Sequence, residues 1–217
     1  MINVTSRHLF AIALLFAASA SWSQTKAAPE ELSPEALVRK VTTEVLDAIQ
    51  KDEALKAGDR KKALALAEEK VLPHIDFREM TRLAVGKAWR AATAEQQDVL
   101  TAEFRELLVR TYATAIDAYR GQTMRVLPTR MAADATEVTV RNQYVKPGSP
   151  PVPVDYYMLK TAKGWKVADI VVEGVSLVLT YRTEFEEEAR RGGVEGLIGR
   201  LRAKNRIPKS EAPRAKV

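Results

Sequence analysis

The spacing of apolar residues changes twice along this chain, and that change limits the fold more than any other feature. Up to Gly121 the apolar residues recur three and four apart, from residue 135 they alternate, and after Gly174 the helical spacing returns. A stripe with period 3.6 buries one side of a helix, and period 2 buries one side of a strand. Helices first, strands together, then helix again predicts an α+β fold with an antiparallel sheet rather than an alternating βαβ array.

The helical part reads in detail. Ser33-Pro34 supplies an N-cap and a first-turn proline, and Leu37, Val38, Val41, Val45 and Ile49 form the stripe behind it. A second helix spans residues 60–72 and stops near Pro73. Asp76 to Glu79 and Thr93 to Gln96 are capping-box patterns, opening a short helix and a long one. The long helix carries Leu100, Phe104, Leu107, Leu108, Tyr112, Ala115, Ile116 and Tyr119 and ends at Gly121. Strands are expected at residues 135–145, from Val152, and over 165–172, the last two joined by a hairpin at Lys163-Gly164. Helix resumes after Gly174, breaks at Gly192-Gly193, and ends in a last amphipathic segment carrying Val194, Leu197, Ile198 and Leu201. The chain shows no internal repeat.

The ends are of a different kind. Residues 9–20 are apolar and uncharged, follow Arg7, and close on Ala18-Ser19-Ala20. This is the pattern of an export signal cleaved after Ala20, with Ser23 the alternative site. The run is shorter than the roughly 20 residues of a spanning helix, and no stop-transfer pattern supports a retained anchor. Residues 21–32 read as a flexible leader, 33–205 as one domain with a helical subdomain, and 206–217 as a disordered tail. The formal charge is +6; residues 1–20 hold one cation and no acid, so the mature chain carries 6 − 1 = +5. With both signs well mixed, that excess suits an anionic surface or an acidic partner and does not indicate nucleic acid. There is no cysteine, which excludes disulfides, thiolate catalysis and cysteine metal sites.

Catalytic chemistry finds little support. Gly174-Val175-Ser176 lacks the second glycine of a nucleophile elbow, because Val178 stands there. His74 is the one histidine left after export, and capping a helix explains Ser176 better than nucleophilic attack. His74 and Asp76 do not complete a metal site. Glu184, Glu186, Glu187 and Glu188, with Arg182, Arg190 and Arg191 near them, read as a solvated ion-paired face. Asp169 is the odd residue, a carboxylate between Val167 and Val171 on an otherwise apolar strand face. It marks either a functional site or a capped structural acid. The remaining apolar surplus fills a core or lines a ligand cavity between sheet and helices.

The run PHIDFREMTRLAVGKAWRAATAEQQDVLTAEFRELLVRTYATAIDAYRGQ, residues 73–122, resembles the toluene-tolerance family of periplasmic phospholipid-binding proteins. Asp76-Phe77, Met80, Gly86 with Trp89-Arg90, Thr93 with Gln96, Phe104, Leu107-Leu108 and Thr111-Tyr112 carry the resemblance. GWKVADIVVEGVSLVLTYRTEF followed by GGVEGLIGRL resembles the family's C-terminal part, and the likeness extends over roughly residues 30–205. It implies a curved, cystatin-like antiparallel sheet backed by helices, with no catalytic or metal residue and no cofactor. It implies a monomeric periplasmic carrier that moves a phospholipid between the membranes and so maintains outer-membrane lipid asymmetry. The implied partners are an inner-membrane ABC transporter complex with its lipid-binding ring protein, and an outer-membrane lipoprotein–porin complex. The acyl tails are then expected on the inward strand faces, at Val138, Val140, Tyr144, Val152, Val154, Tyr156, Met158, Val167 and Val171. Facing them, Leu108, Tyr112, Ile116, Val175 and Leu179 are the helical candidates. Each also suits plain core. The rivals are a ligand-free adaptor or chaperone, a hydrolase using His74, Asp76 or Asp169, and a protein bound peripherally to membranes.

Overall fold

In the computed structural model, residues 32–112 and 122–206 are described. The signal over 1–20, nearly all of the leader, Ile116, Tyr119, the stop at Gly121 and the tail beyond Arg206 lie outside the described residues. Helices α1 (Pro34–Lys51), α2 (Glu53–Lys56) and α3 (Arg60–Lys70) are followed by a 3₁₀ turn (Leu72–His74) and by α4 (Phe77–Val85), α5 (Lys87–Ala91) and α6 (Ala94–Tyr112). Strands β1 (Thr123–Val126), β2 (Glu137–Val140), β3 (Asn142–Val145), β4 (Val152–Thr161), β5 (Gly164–Val172) and β6 (Val175–Ser176) come next, and α7 (Leu177–Arg206) closes the chain. The α+β architecture with an antiparallel sheet is therefore the observed one.

The caps act where the sequence puts them. Ser33 Oγ accepts from the Ala36 amide at 3.2 Å. Thr93 and Gln96 make the full reciprocal box, at 3.2 and 2.9 Å. At Asp76 only half a box forms: its carboxylate accepts from the Glu79 amide at 2.9 Å, while Glu79 turns to Arg82. The other half is given up because the Asp76 N–H donates to Val167 O of β5, at 2.9 Å. A helix start is thereby tied to a strand edge, beside the isolated parallel bridge between Ile75 and Val167.

The sheet order is β1-β3-β4-β5-β6, with β2 also paired to β4. The named strands pair antiparallel throughout. The single strand expected at 135–145 is divided at Arg141, although both halves keep one register on β4: Val140 faces Tyr156 and Gln143 faces Pro153. Strand β1 was not legible, since four residues with two half-buried ones give too short an alternation. The β4–β5 hairpin turns through Ala162-Lys163, and Gly164 takes the positive φ of 89°.

Apolar residues gather into two main clusters. Met80, Leu100, Phe104, Phe185, Leu197 and Leu201 centre the first, between α4, α6 and α7. Phe104 meets Tyr181 and Phe185 edge-on, both at 5.1 Å between centroids. The second joins Leu37 and Val38 of α1 to Val138, Val140, Met158, Trp165 and Val167 of the sheet. Half-buried Ile75 and Ile170 pack against both clusters.

Helix α7 begins on a polar joint. Ser176 Oγ accepts from the Leu179 amide at 3.0 Å and donates to Asp169, whose other oxygen accepts from the amides of Val178, at 3.1 Å, and Ile170, at 2.8 Å. Ser176 is an N-cap, and Asp169 is its anchor. Gly193, at φ 65° and ψ −164°, breaks the helix as the glycine pair predicts. Replacing Ser176 by Ala is expected to cost about 1 kcal/mol, the usual worth of a cap. Asp169→Ala is expected to cost on the order of 2–3 kcal/mol, because it strands the buried donors it served. Urea unfolding at neutral pH measures both, and an Asp169 variant as stable as the parent would refute the capping role.

Candidate functional site

The face of the sheet that meets α1 is built by register. Val138 lies opposite Met158 and Val140 opposite Tyr156, so these four share a side. Tyr144 opposite Val152 continues it along β3 and β4, and Val154 follows by alternation. On β5, Val167 opposite Met158 belongs to it too. The register then shifts: Met158 faces Val167 and Tyr157 faces Asp169, leaving Ala168 as an extra residue, a β-bulge. Beyond a bulge the alternation reverses. Ile170 faces Tyr156 and Val172 faces Val154, whereas Val171 faces Asp155 and Ser176. The placement of Val171 on the inward face is thus corrected: it points to the other side, with Asp169, and Ile170 and Val172 take its place.

The odd carboxylate was the trace of this slip. Counting by twos from Val167 places Asp169 on the apolar face, and the bulge removes it. No motif announces a bulge, so Ile170 and Val172 were missed. Met124 and Val126 of β1 also pack against the sheet cluster and were missed with their strand.

Burial along the face is graded. At the end covered by α1, Val140 and Met158 are fully buried, and Val138 and Val167 nearly so. Toward the start of β4 and the end of β5, Tyr144, Val152, Val154, Tyr156, Ile170 and Val172 are half-buried. Past them, Val175 and Leu179 are each 59% exposed, a high value for aliphatic residues. Leu108 is in the helical core, and half-buried Tyr112 packs against that core.

Four tyrosines add hydroxyls to this region. Tyr144 and Tyr156 hydrogen-bond to each other at 3.2 Å across the face. Burial raises the Tyr156 hydroxyl well above the ordinary tyrosine range, and Tyr144 adds to the effect. Burial likewise raises Tyr112, which bonds to Tyr181. Two residues before Tyr144 on β3, Asn142 is fully buried and donates to Val140 O at 2.9 Å. On the opposite side, Tyr157 donates to Glu137, and that bond pushes its hydroxyl up to about 12.

The catalytic candidates are otherwise engaged. Asp76 and Asp169 serve as helix caps. His74 sits half-buried in the 3₁₀ turn, its pKa lowered by burial and by Lys166 and Lys40. Glu184, Glu186 and Glu187 pair with Lys204, Arg182 and Arg191 as an ion-paired surface. Among the described residues no cluster of three acids or histidines is placed to hold a metal. Two of the surface cavities among the described residues lie elsewhere. One of about 720 Å³ follows the outer edge of β2, and one of about 300 Å³ sits among Arg82, Lys87, Trp89, Arg90 and Arg182.

A raised tyrosine stabilises the fold below its unfolded pKa, and that stability is lost as pH rises toward the folded value. The unfolded chain releases the Tyr156 proton near pH ~10 while the folded chain retains it, so stability should fall above that point by about 1.4 kcal/mol per pH unit for this group. Tyr156→Phe should remove that share of the slope, as read by urea midpoints between pH ~10 and ~11.5. An unchanged slope would show that the hydroxyl is not held neutral by the fold.

Known proteins give this geometry a family. The intermembrane phospholipid transport system binding protein MlaC of Haemophilus influenzae is 22% identical over 180 residues, 82% of this chain and 84% of that protein. The toluene tolerance protein Ttg2D of Pseudomonas putida is 27% identical over 104 residues, 48% of each chain. A solved phospholipid-binding protein from Ralstonia solanacearum, in complex with a phospholipid, superposes with a TM-score of 0.73 at 39% identity, covering 80% of this chain and 97% of that one. The family model described as MlaC protein matches residues 39–203, so the chain belongs to the MlaC family.

Proposed function

We propose that this protein is a periplasmic carrier that holds a phospholipid by its acyl tails and moves it between the inner and outer membranes, maintaining outer-membrane lipid asymmetry. One observation carries the reading: the Ralstonia relative, alike over 97% of its length, was solved with a phospholipid bound. Family membership places the chain among carriers rather than enzymes. The proposal includes export by a signal cleaved after Ala20, a single lipid-binding domain over 33–205, and a monomeric state. Its partners are the inner-membrane ABC transporter complex with its lipid-binding ring protein and the outer-membrane lipoprotein–porin complex. No helix among the described residues is long and apolar enough to cross a membrane.

The gradient of burial sharpens where the tails would lie. Val138, Val140, Met158, Val167 and Leu108 act as core. The open end, with Tyr144, Val152, Val154, Tyr156, Ile170, Val172, Val175 and Leu179, is assigned to the lipid, with Tyr112 and Ile116 kept as helical candidates. Each buried methylene is worth about 0.8 kcal/mol, so two tails of some thirty carbons gain on the order of 25 kcal/mol over water. A bilayer offers the same gain. Transfer from membrane to carrier therefore needs neither covalent chemistry nor a large net driving force, only an apolar face and a place to dock.

Native mass spectrometry of detergent-free protein, with lipid extraction in parallel, is the direct test. The expected result is a bound mass equal to one diacyl phospholipid, released on denaturation. A bare protein mass that persists after incubation with phospholipid vesicles would overturn the carrier reading and favour an adaptor.

Neighbouring residues on opposite faces test the location. Val172→Trp is expected to lower bound lipid at least tenfold with a similar melting temperature, and Val171→Trp is expected to retain it. Loss in the second variant and not the first would put the lipid on the other side of the sheet.

A further inference from the structure

Among the described residues, the outer edge of β2 is an unfilled strand position. The pairing rule for antiparallel strands fixes which main-chain groups are free there. Lys160 N–H donates to Thr136 O at 2.8 Å, so Thr136 is on the bonded side of the β2–β4 ladder. Bonded residues alternate, which makes Val138 and Val140 partners of β4 and turns the N–H and C=O of Glu137 and Thr139 outward.

Strand β1 stops short of them. Its register on β3 sets Val126 opposite Asn142, and Leu127 N–H still reaches Arg141 O at 2.9 Å. Continued, the same register would bring Thr129 opposite Thr139. Instead, the Thr129 amide donates to Glu35 of α1. The chain is drawn off the edge, and residues 128–132 form the far wall of the 720 Å³ cavity, with Glu137, Val138, Thr139 and Arg141 as the near wall. That volume lies within the roughly 300–1,000 Å³ of sites that hold ligands. Arg130 and Arg141 line it. Arg130 has no partner among the described residues, and Arg141 reaches only Pro128 O, at 3.5 Å. The acid of the wall, Glu137, is engaged by the Tyr157 hydroxyl.

We infer that this cleft receives an extended, acidic segment of a partner protein, which adds to the sheet as a strand along β2. Main-chain groups of Glu137 and Thr139 supply the ladder, a known mode of peptide capture. Arg130 and Arg141 select carboxylates on the alternate residues that face them. A covered or heavily charged edge would be the ordinary protection against such pairing. Among the described residues no strand covers this edge, and the charge it carries, Arg130 and Arg141, repels a basic strand and admits an acidic one. The inference is independent of where lipid binds.

The test uses the isotopically labelled, full-length exported protein and two synthetic probes, acetyl-Glu-Val-Glu-Val-Glu-amide and its Lys-for-Glu counterpart, both at millimolar concentration. The acidic probe is expected to slow hydrogen exchange of the Glu137 and Thr139 amides at least tenfold, with Val138 and Val140 already protected and the basic probe without effect. Thr139→Pro removes an outward N–H and no ladder bond, so it should abolish the effect at an unchanged melting temperature. Arg130→Glu with Arg141→Glu should reverse the preference between probes. Absence of protection, equal protection by both probes, or protection that survives Thr139→Pro would each overturn the proposal. Protection that rises with protein concentration alone, with dimers in sedimentation, would also overturn it by assigning the edge to a second copy.

Discussion

Strand β5 holds the two halves of this protein together through its main chain and one carboxylate. Its Val167 carbonyl accepts from Asp76 at the start of α4, and its Asp169 holds the first turn of α7. Ile75 and Ile170 pack against both the helical cluster and the sheet cluster, and both lie next to those polar joints. The joints orient and the isoleucines pack. A helix start docked on a strand needs both, because apolar contact alone is not directional whereas an amide-to-carbonyl bond is.

The same strand explains how a sheet can be core at one end and open at the other. Where α1 packs on β1 and β2, aliphatic side chains close completely around Met158. Past the bulge the sheet runs beyond that cover: Val172 is half-buried, and Val175 of β6 and Leu179 at the start of α7 are exposed. A face that is closed throughout would be only a core, and one open throughout would not stay folded. The proposed carrier role requires the mixture. It also accounts for paired tyrosine hydroxyls at the boundary, where a polar group must satisfy itself if an apolar ligand is to be its neighbour.

Much of this was legible in the residues, and what was not has identifiable causes. The caps at Ser33, Thr93 and Ser176 and the break at Gly193 follow from local hydrogen-bond chemistry, which short sequence contains in full. The side to which Val171 points does not, because it depends on one extra residue, Ala168, three positions earlier. Only the misplaced acid at Asp169 hinted at the slip. Strand β1 and the split at Arg141 depend on partners distant in sequence, which a period of two cannot reveal. The edge of β2 was invisible for the same reason: it is defined by where β1, paired far along the sequence, turns away.

The break at Gly193 has a kinetic side. It folds the end of α7 back, so that Leu197, Ile198 and Leu201 complete the cluster that Phe104 began. Asn205 donates to the Glu103 carbonyl at 2.9 Å, and Arg110 donates to the Asn205 carbonyl; the first of these bonds closes a loop of 102 residues. The helical core cannot seal until nearly the last described residue has arrived. Loops of that length close late and make a chain slow to commit to its native state. For a protein proposed to cross a membrane as an open chain before folding, a core that waits on a residue 102 positions downstream of its partner keeps the chain threadable for longer.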